Sequence, residues 1–223
     1  MTLLICYSIY VFFAQIFNLK YLFPFPLIGS SIFFMDTKIE ESNCSNIVWL
    51  DMEMTGLDIS TSHILEVACL ITDRNLEIIS EDLNIVIHQS DEILDNMNDW
   101  CLTNHKRTGL INESRLSQIT TNDAEEIVLK YLKRYTEEKA CPLAGSSVYV
   151  DRMFLCKYMP LVNNYLNYRI IDTSTIKELI KRWNTNIPAL QKRHDHRALL
   201  DIKESIRELK CYKQYIFDLC VKS

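Results

Sequence analysis

Ile47-Val48-Trp49-Leu50-Asp51-Met52-Glu53 is an apolar run that ends in two acids. Residues of this type suit a buried strand. A period of two then turns Asp51 and Glu53 to the same side of it. Two carboxylates so placed repel each other, and a solvated strand end is the plain way to relieve that.

Outward from this run, Ile64–Thr72 and Leu76–His88 read as further strands, and their short links make them antiparallel neighbours. Helical patterns follow at Glu92–Asn98, Trp100–Lys106 and Asp123–Glu138, the last with Ile127, Tyr131 and Tyr135 on one stripe and Asn122 with Glu125 as a capping box. A short run at Ser147–Val150 precedes a helix from Asp151 to Tyr158, which Pro160 stops. Arg169–Ile171 reads as a strand, Thr173–Trp183 as a helix and Arg197–Tyr215 as the closing helix. Strands first, then alternating helix and strand, predict an α/β protein with a mixed central sheet and helices packed on it.

The chain has 223 residues, 48% of them apolar, enough for one domain with a real core and too apolar for a disordered chain. Its 24 basic and 29 acidic residues give a net charge of −5, which argues against a basic track for long nucleic acid. The four glycines, Gly29, Gly56, Gly109 and Gly145, stand too far apart for a G-x-G-x-x-G or Walker loop. No two of the eight cysteines form a C-x-x-C pair, so local zinc chelation is excluded and reduced core thiols of an intracellular protein are expected.

These averages conceal a divided chain. From Met1 to Met35 the only charge is Lys20, and ten of the 23 aromatic residues lie there. From Asp36 onward 23 basic and 29 acidic groups leave a net of −6. The expected division is an apolar leader over residues 1–45 and a globular domain over 46–218. Residues 2–19 are uncharged and long enough for a marginal membrane span or signal core, but lack a basic flank. Two readings of the leader stay open: a targeting or membrane-associated segment, or an extension ahead of a start at Met35.

Two further acids stand out. Asp151 opens an apolar helix, where the helix dipole favours a carboxylate. His196 precedes Asp201 by five residues. In order and spacing, Asp51-x-Glu53, Asp151 and His196-x4-Asp201 resemble the DEDDh exonucleases of the ribonuclease-H-like superfamily. More narrowly the chain resembles the oligoribonuclease family, through Trp49–Leu57, Asn98–Cys101, Thr108–Leu110, Gly145–Ser147, Tyr168–Leu179 and His196–Ser205. That resemblance runs from about Asn46 to Phe217 and does not touch residues 1–45.

The resemblance implies a ribonuclease-H-like exonuclease fold and a 3′-to-5′ exoribonuclease that reduces very short oligoribonucleotides to nucleoside 5′-monophosphates. It implies two divalent ions, Mg²⁺ or Mn²⁺, held by Asp51, Glu53, Asp151 and Asp201. Hard oxygen ligands suit such ions, which stabilise the entering and leaving oxygens of a phosphodiester. His196 would take the proton from the attacking water, a task suited to a side chain that titrates near neutrality; His194 has the wrong offset. Leu57 would wedge between the last two bases and Trp100 would pack against the terminal one. Family members are homodimers, so Tyr168, Arg169 and Ser174 are expected to act on the partner's site. With Ser147 and His105 they would cap the 5′ phosphate. Members occur in the cytoplasm and in mitochondria. Leu200, Tyr149 and Asn104-His105-Lys106-Arg107 depart from the family's usual residues, the last at the phosphate cap.

Two other readings remain at this point: a DEDDh enzyme that trims the 3′ ends of longer RNA or DNA, which should carry a basic track, and an inactive scaffold paralogue, against which stand the intact four acids and His196.

Overall fold

A computed structural model describes residues 45–183, 187 and 196–218. The expected leader, apart from Ser45, and His194 lie outside the described residues. Among the described residues no helix is long and apolar enough to cross a membrane.

Strand β1 (Ile47–Met54) forms from the quoted run and pairs antiparallel with β2 (Ile64–Thr72), setting Trp49 against Leu70, Asp51 against Ala68 and Glu53 against Glu66. β2 pairs antiparallel with β3 (Leu83–Val86). On the other side of β1, β4 (Leu143–Gly145) and then β5 (Ile170–Asp172) add parallel strands, so the sheet order is β3-β2-β1-β4-β5. The mixed sheet expected from the element order is present.

Helices α1 (Asp91–Asp95), α2 (Asp99–Thr108), α3 (Leu110–Leu116) and α4 (Thr121–Tyr135) lie between β3 and β4. Helices α5 (Tyr149–Tyr158) and α6 (Pro160–Tyr165) precede β5; α7 (Thr173–Trp183) and α8 (Ala198–Tyr212) follow it, with a π turn over Lys213–Asp218.

Period-two alternation along β1 divides the core into layers. Val48, Leu50 and Met52 pack with Val128, Leu132, Phe154 and Val162, on the face covered by α4, α5 and α6. Trp49 packs on the opposite face with Ala198, Ile202 and Ile206 of α8. Its indole donates to Thr72 Oγ1 at 3.0 Å, which satisfies a fully buried polar group. Because Asp51 and Glu53 share the face of Trp49, this layering delivers both beneath α8.

Several local expectations change. Of the strand expected at Leu76–His88 only Leu83–Val86 is a regular strand, while Ile78 forms an isolated antiparallel bridge to Thr72. Asp73 Oδ1 accepts the amides of Asn75 and Glu77 in a tight turn, Leu76 takes a φ of 70°, and the Ser80 hydroxyl substitutes for a ladder carbonyl at the Ile71 amide. The capping box of α4 is Thr120 with Asp123, not Asn122 with Glu125. Glu125 is buried instead and accepts the Leu161 amide, closing the start of α6. Pro160 does stop α5, and it also opens α6, a helix that sequence periodicity did not expect.

The fourth strand lies at Leu143–Gly145, before the run expected there. A Cβ on Gly145 would meet the Leu50 carbonyl oxygen at 2.9 Å, so only glycine lets β4 end this close to β1. Cys69, Cys101, Cys156 and Cys211 are free thiols, whereas Cys141 is disulfide-bonded, a departure from reduced thiols throughout.

Candidate active site

β1 extends beyond its last pair with β4, which is Trp49 with Ala144. There Asp151, in the first turn of α5, takes over: its Oδ1 accepts the Met52 amide at 2.9 Å. That bond joins two segments 99 residues apart and fixes the third acid against the first two. From the other side, Asp201 in the first turn of α8 comes down on the Asp51–Glu53 face. Asp51, Glu53 and Asp201 line one cleft of about 450 Å³ together with Leu57 and Trp100.

Glu53, His196 and Asp201 each present an atom within 4.8 Å of the other two, close enough to share a metal ion. Burial pushes the Glu53 carboxyl up from 4.5 to about 8; Asp201, Glu66 and Asp151 add to the rise and Arg197 opposes it. Burial likewise raises the Asp151 carboxyl, against the pull of its own amide and that of Met52. Crowded, desolvated acids of this kind hold protons unless a cation replaces them. The donor set, hard oxygens with an imidazole at the rim, therefore fits a divalent cation.

His196 stands at a φ of 53° just before α8, and its ring meets Trp100 edge to face, with centroids 5.2 Å apart. Leu57 and Trp100 are 73% and 58% exposed, which makes them apolar walls of the cleft and not core. Ser147 is tied to Ser174: the two hydroxyls are 3.3 Å apart, and Asp172 Oδ1 accepts the Ser147 amide and both the amide and hydroxyl of Ser174.

His105, expected at the phosphate cap, sits behind the acids. It is 1% exposed, its Nε2 lies 2.9 Å from the Met54 carbonyl, and its Nδ1 is 3.8 Å from Glu53. It thus backs Glu53 from inside the fold.

Tyr168 is 75% exposed with Arg169 over its ring, two residues ahead of β5. The parallel register aligns Val48, Leu143 and Ile170, so Tyr168 is roughly 16–23 Å along the strand direction from its own chain's Asp51 and Glu53. Within one chain the structure does not bring Tyr168 to the acids.

Sequence reasoning missed Glu66. It is fully buried opposite Glu53, accepts the Ala198 amide at 3.0 Å and pairs with Arg197 at 2.7 Å. The signal was available: a lone acid in a strand otherwise made of apolar residues and one threonine, ILEVACLIT.

The exonuclease family matches residues 48–209. A Dictyostelium discoideum protein named "Probable oligoribonuclease" is 52% identical over 77% of this chain and 90% of its own length. The human protein named "Oligoribonuclease, mitochondrial" is 49% identical over 79% of this chain and 76% of its own. Among solved structures, Escherichia coli exonuclease I in complex with a dA16 oligonucleotide superposes with a TM-score of 0.61 at 14% identity, over 76% of this chain. The chain spans 41% of that structure's length, and this likeness speaks to the fold alone.

Proposed function

The chain belongs to the oligoribonuclease family of exonucleases and is a hydrolytic 3′-to-5′ exoribonuclease; from this premise we propose that its substrates are oligoribonucleotides of a few residues, cut to nucleoside 5′-monophosphates. The observation that carries the reading is a cleft lined by Asp51, Glu53 and Asp201, with His196 within 4.8 Å of the last two and Asp151 bonded to the Met52 amide between the first two.

We assign Asp51, Glu53, Asp151 and Asp201 to holding two divalent ions, Mg²⁺ or Mn²⁺. When bound, such ions polarise the phosphoryl group and offset charge on the entering and leaving oxygens. The chain's own residues do the rest. His196 accepts the proton of the attacking water at a ring nitrogen. Trp100 and Leu57 orient the terminal bases by apolar contact, which reads no sequence. Ser147, Ser174 and Arg169 offer donors to a 5′ phosphate, and a closed end of that kind suits substrates of very few residues. His105 is better assigned to supporting Glu53. Because Tyr168 is far from its own acids, we propose that it serves the cleft of a second copy in a homodimer. The catalytic domain is assigned to residues 46–218 and the leader to 1–45. The compartment we propose is the mitochondrion or the cytoplasm, since a relative named as mitochondrial shares nearly half of the aligned residues.

The test compares turnover of 5′-labelled dinucleotide and heptanucleotide RNA, with Mn²⁺ and with chelator. Faster turnover of the dinucleotide, abolished by chelator, is expected. Equal or faster turnover of the heptanucleotide would overturn the short-substrate reading in favour of a trimming enzyme, and no turnover of either would favour a scaffold.

A further inference from the structure

Helix α8 carries two functional groups at its start, His196 just ahead of it and Asp201 in its first turn. Its N-cap, Arg197, makes no side-chain cap of its own. The helix is closed from a distant strand: Glu66 Oε2 accepts the Ala198 amide at 3.0 Å. The same carboxylate accepts Arg197 Nε at 3.1 Å and Nη2 at 2.7 Å, and Asn84 Nδ2 donates to its Oε1 at 2.8 Å. The far edge of the guanidinium pairs with Glu113 in α3, Nη1 at 3.1 Å and Nη2 at 2.8 Å. A planar fork held between two carboxylates has very little freedom to rotate. The residue directly before it, His196, is held in the left-handed region, a conformation that a non-glycine residue keeps only where its surroundings impose it. Glu66 also sits opposite Glu53 across the β1–β2 ladder, which references the clamp to the metal-binding strand itself.

We propose that Glu66, Arg197 and Glu113 form a clamp that fixes where His196 stands over the acids, making Arg197 and Glu66 positioning residues for hydrolysis. The proposal rests on the reading of His196 as general base. It explains why a buried carboxylate that faces the site belongs to none of the ligands: its partners are a guanidinium, a side-chain amide and a helix amide. It also predicts that loss of the clamp is felt first at His196, which adjoins Arg197 in the chain, and less at Asp201, which the helix's first turn also holds.

The experiment measures steady-state hydrolysis of a 5′-labelled dinucleotide by the full chain, together with Mn²⁺ binding and thermal unfolding. The variants are Arg197→Lys, Glu66→Gln, His196→Ala and His196→Ala combined with Arg197→Lys. Arg197→Lys keeps the charge and loses the fork; Glu66→Gln keeps an acceptor for the Ala198 amide and loses the ion pair. Each should lower kcat roughly ten- to a hundredfold, as expected for a displaced catalytic group, with KM and Mn²⁺ affinity within about twofold of the parent. On the His196→Ala background Arg197→Lys should cost little more. Multiplying losses in the double variant, loss of Mn²⁺ affinity in step with kcat, or an unchanged kcat would each overturn the clamp. Should Arg197→Lys melt early, Glu66→Gln carries the same test with folding checked independently. A fully active His196→Ala would instead overturn the general-base reading, so the two failures are distinguishable.

Discussion

The indole of Trp100 meets the imidazole of His196 edge to face, with ring centroids 5.2 Å apart and planes at 84°. One side chain from α2 thus touches the expected general base while its exposed surface lines the cleft. An edge-to-face pair contributes about 0.5–1.5 kcal/mol, and a base stacked on an aromatic about 1–3 kcal/mol.

Trp100→Ala should therefore raise KM for a dinucleotide about tenfold and also lower kcat, because both contacts vanish together. Trp100→Phe should recover most of the kcat. Steady-state kinetics at saturating Mn²⁺ separates the two, and a change in KM alone would show that the His196 contact is idle.

Asp151→Asn keeps an oxygen that can accept the Met52 amide and removes the charge. It should abolish hydrolysis and leave the fold and the proposed dimer unchanged by melting and scattering. Asp151→Ala should also be inactive and lose in addition about 1–3 kcal/mol of stability, since the buried Met52 amide is left without its acceptor. An Asn variant that retains activity would remove Asp151 from the ligand set.

Glu53 has a defined pH signature. Its carboxyl is raised from 4.5 to about 8, chiefly by burial. The folded state therefore keeps a proton that the unfolded chain releases, and this contribution to stability is full below 4.5 and lost as pH rises to about 8. In chelator, the urea midpoint should fall across that window. Saturating Mn²⁺ should flatten the fall, because the cation takes the place of the proton, and Glu53→Gln should remove much of it. Parallel pH curves with and without Mn²⁺ would contradict this.

The distance of Tyr168 from its own acids predicts complementation between chains. Asp151→Asn and Tyr168→Ala proteins, each inactive alone, should regain activity when dissociated and mixed. Random pairing leaves one intact site in half of the dimers, about one quarter of the parental rate. Absence of recovery, with heterodimers verified by mass, would place Tyr168 in service of its own cleft or of none.

Gly145→Ala should destabilise the protein by about 1–3 kcal/mol, as overpacking does, because the added methyl meets the Leu50 carbonyl and Val148. The loss should appear in the denaturant midpoint and be accompanied by slower turnover, since β4 leads into the segment that carries Ser147 and Asp151.

Much of the site was legible because its signals are local. Asp51 and Glu53 share a face through strand periodicity, and the offset from His196 to Asp201 spans the start of one helix. The boundaries of α7 were read correctly from its pattern, Thr173–Trp183, while β4 was expected four residues too late. That strand is only three residues long, and its place depends on Gly145 meeting the Leu50 carbonyl, a contact with no local signature. Glu125 read as a cap for its own helix, yet in the fold it closes α6.

The alternating run at Ile47–Glu53, the order of the acids and the helical stripes were determined by the sequence alone, since each depends on spacing within a few residues. The clamp of Glu66 on Arg197, the bond from Met52 to Asp151 and the seat of His105 behind Glu53 were decided by the tertiary structure. Their partners lie 131, 99 and 51 residues apart. Groups so distant in the chain meet only when burial of the sheet's two faces brings β1, β2, α5 and α8 together, and only there can a buried charge find the partner that makes its burial tolerable.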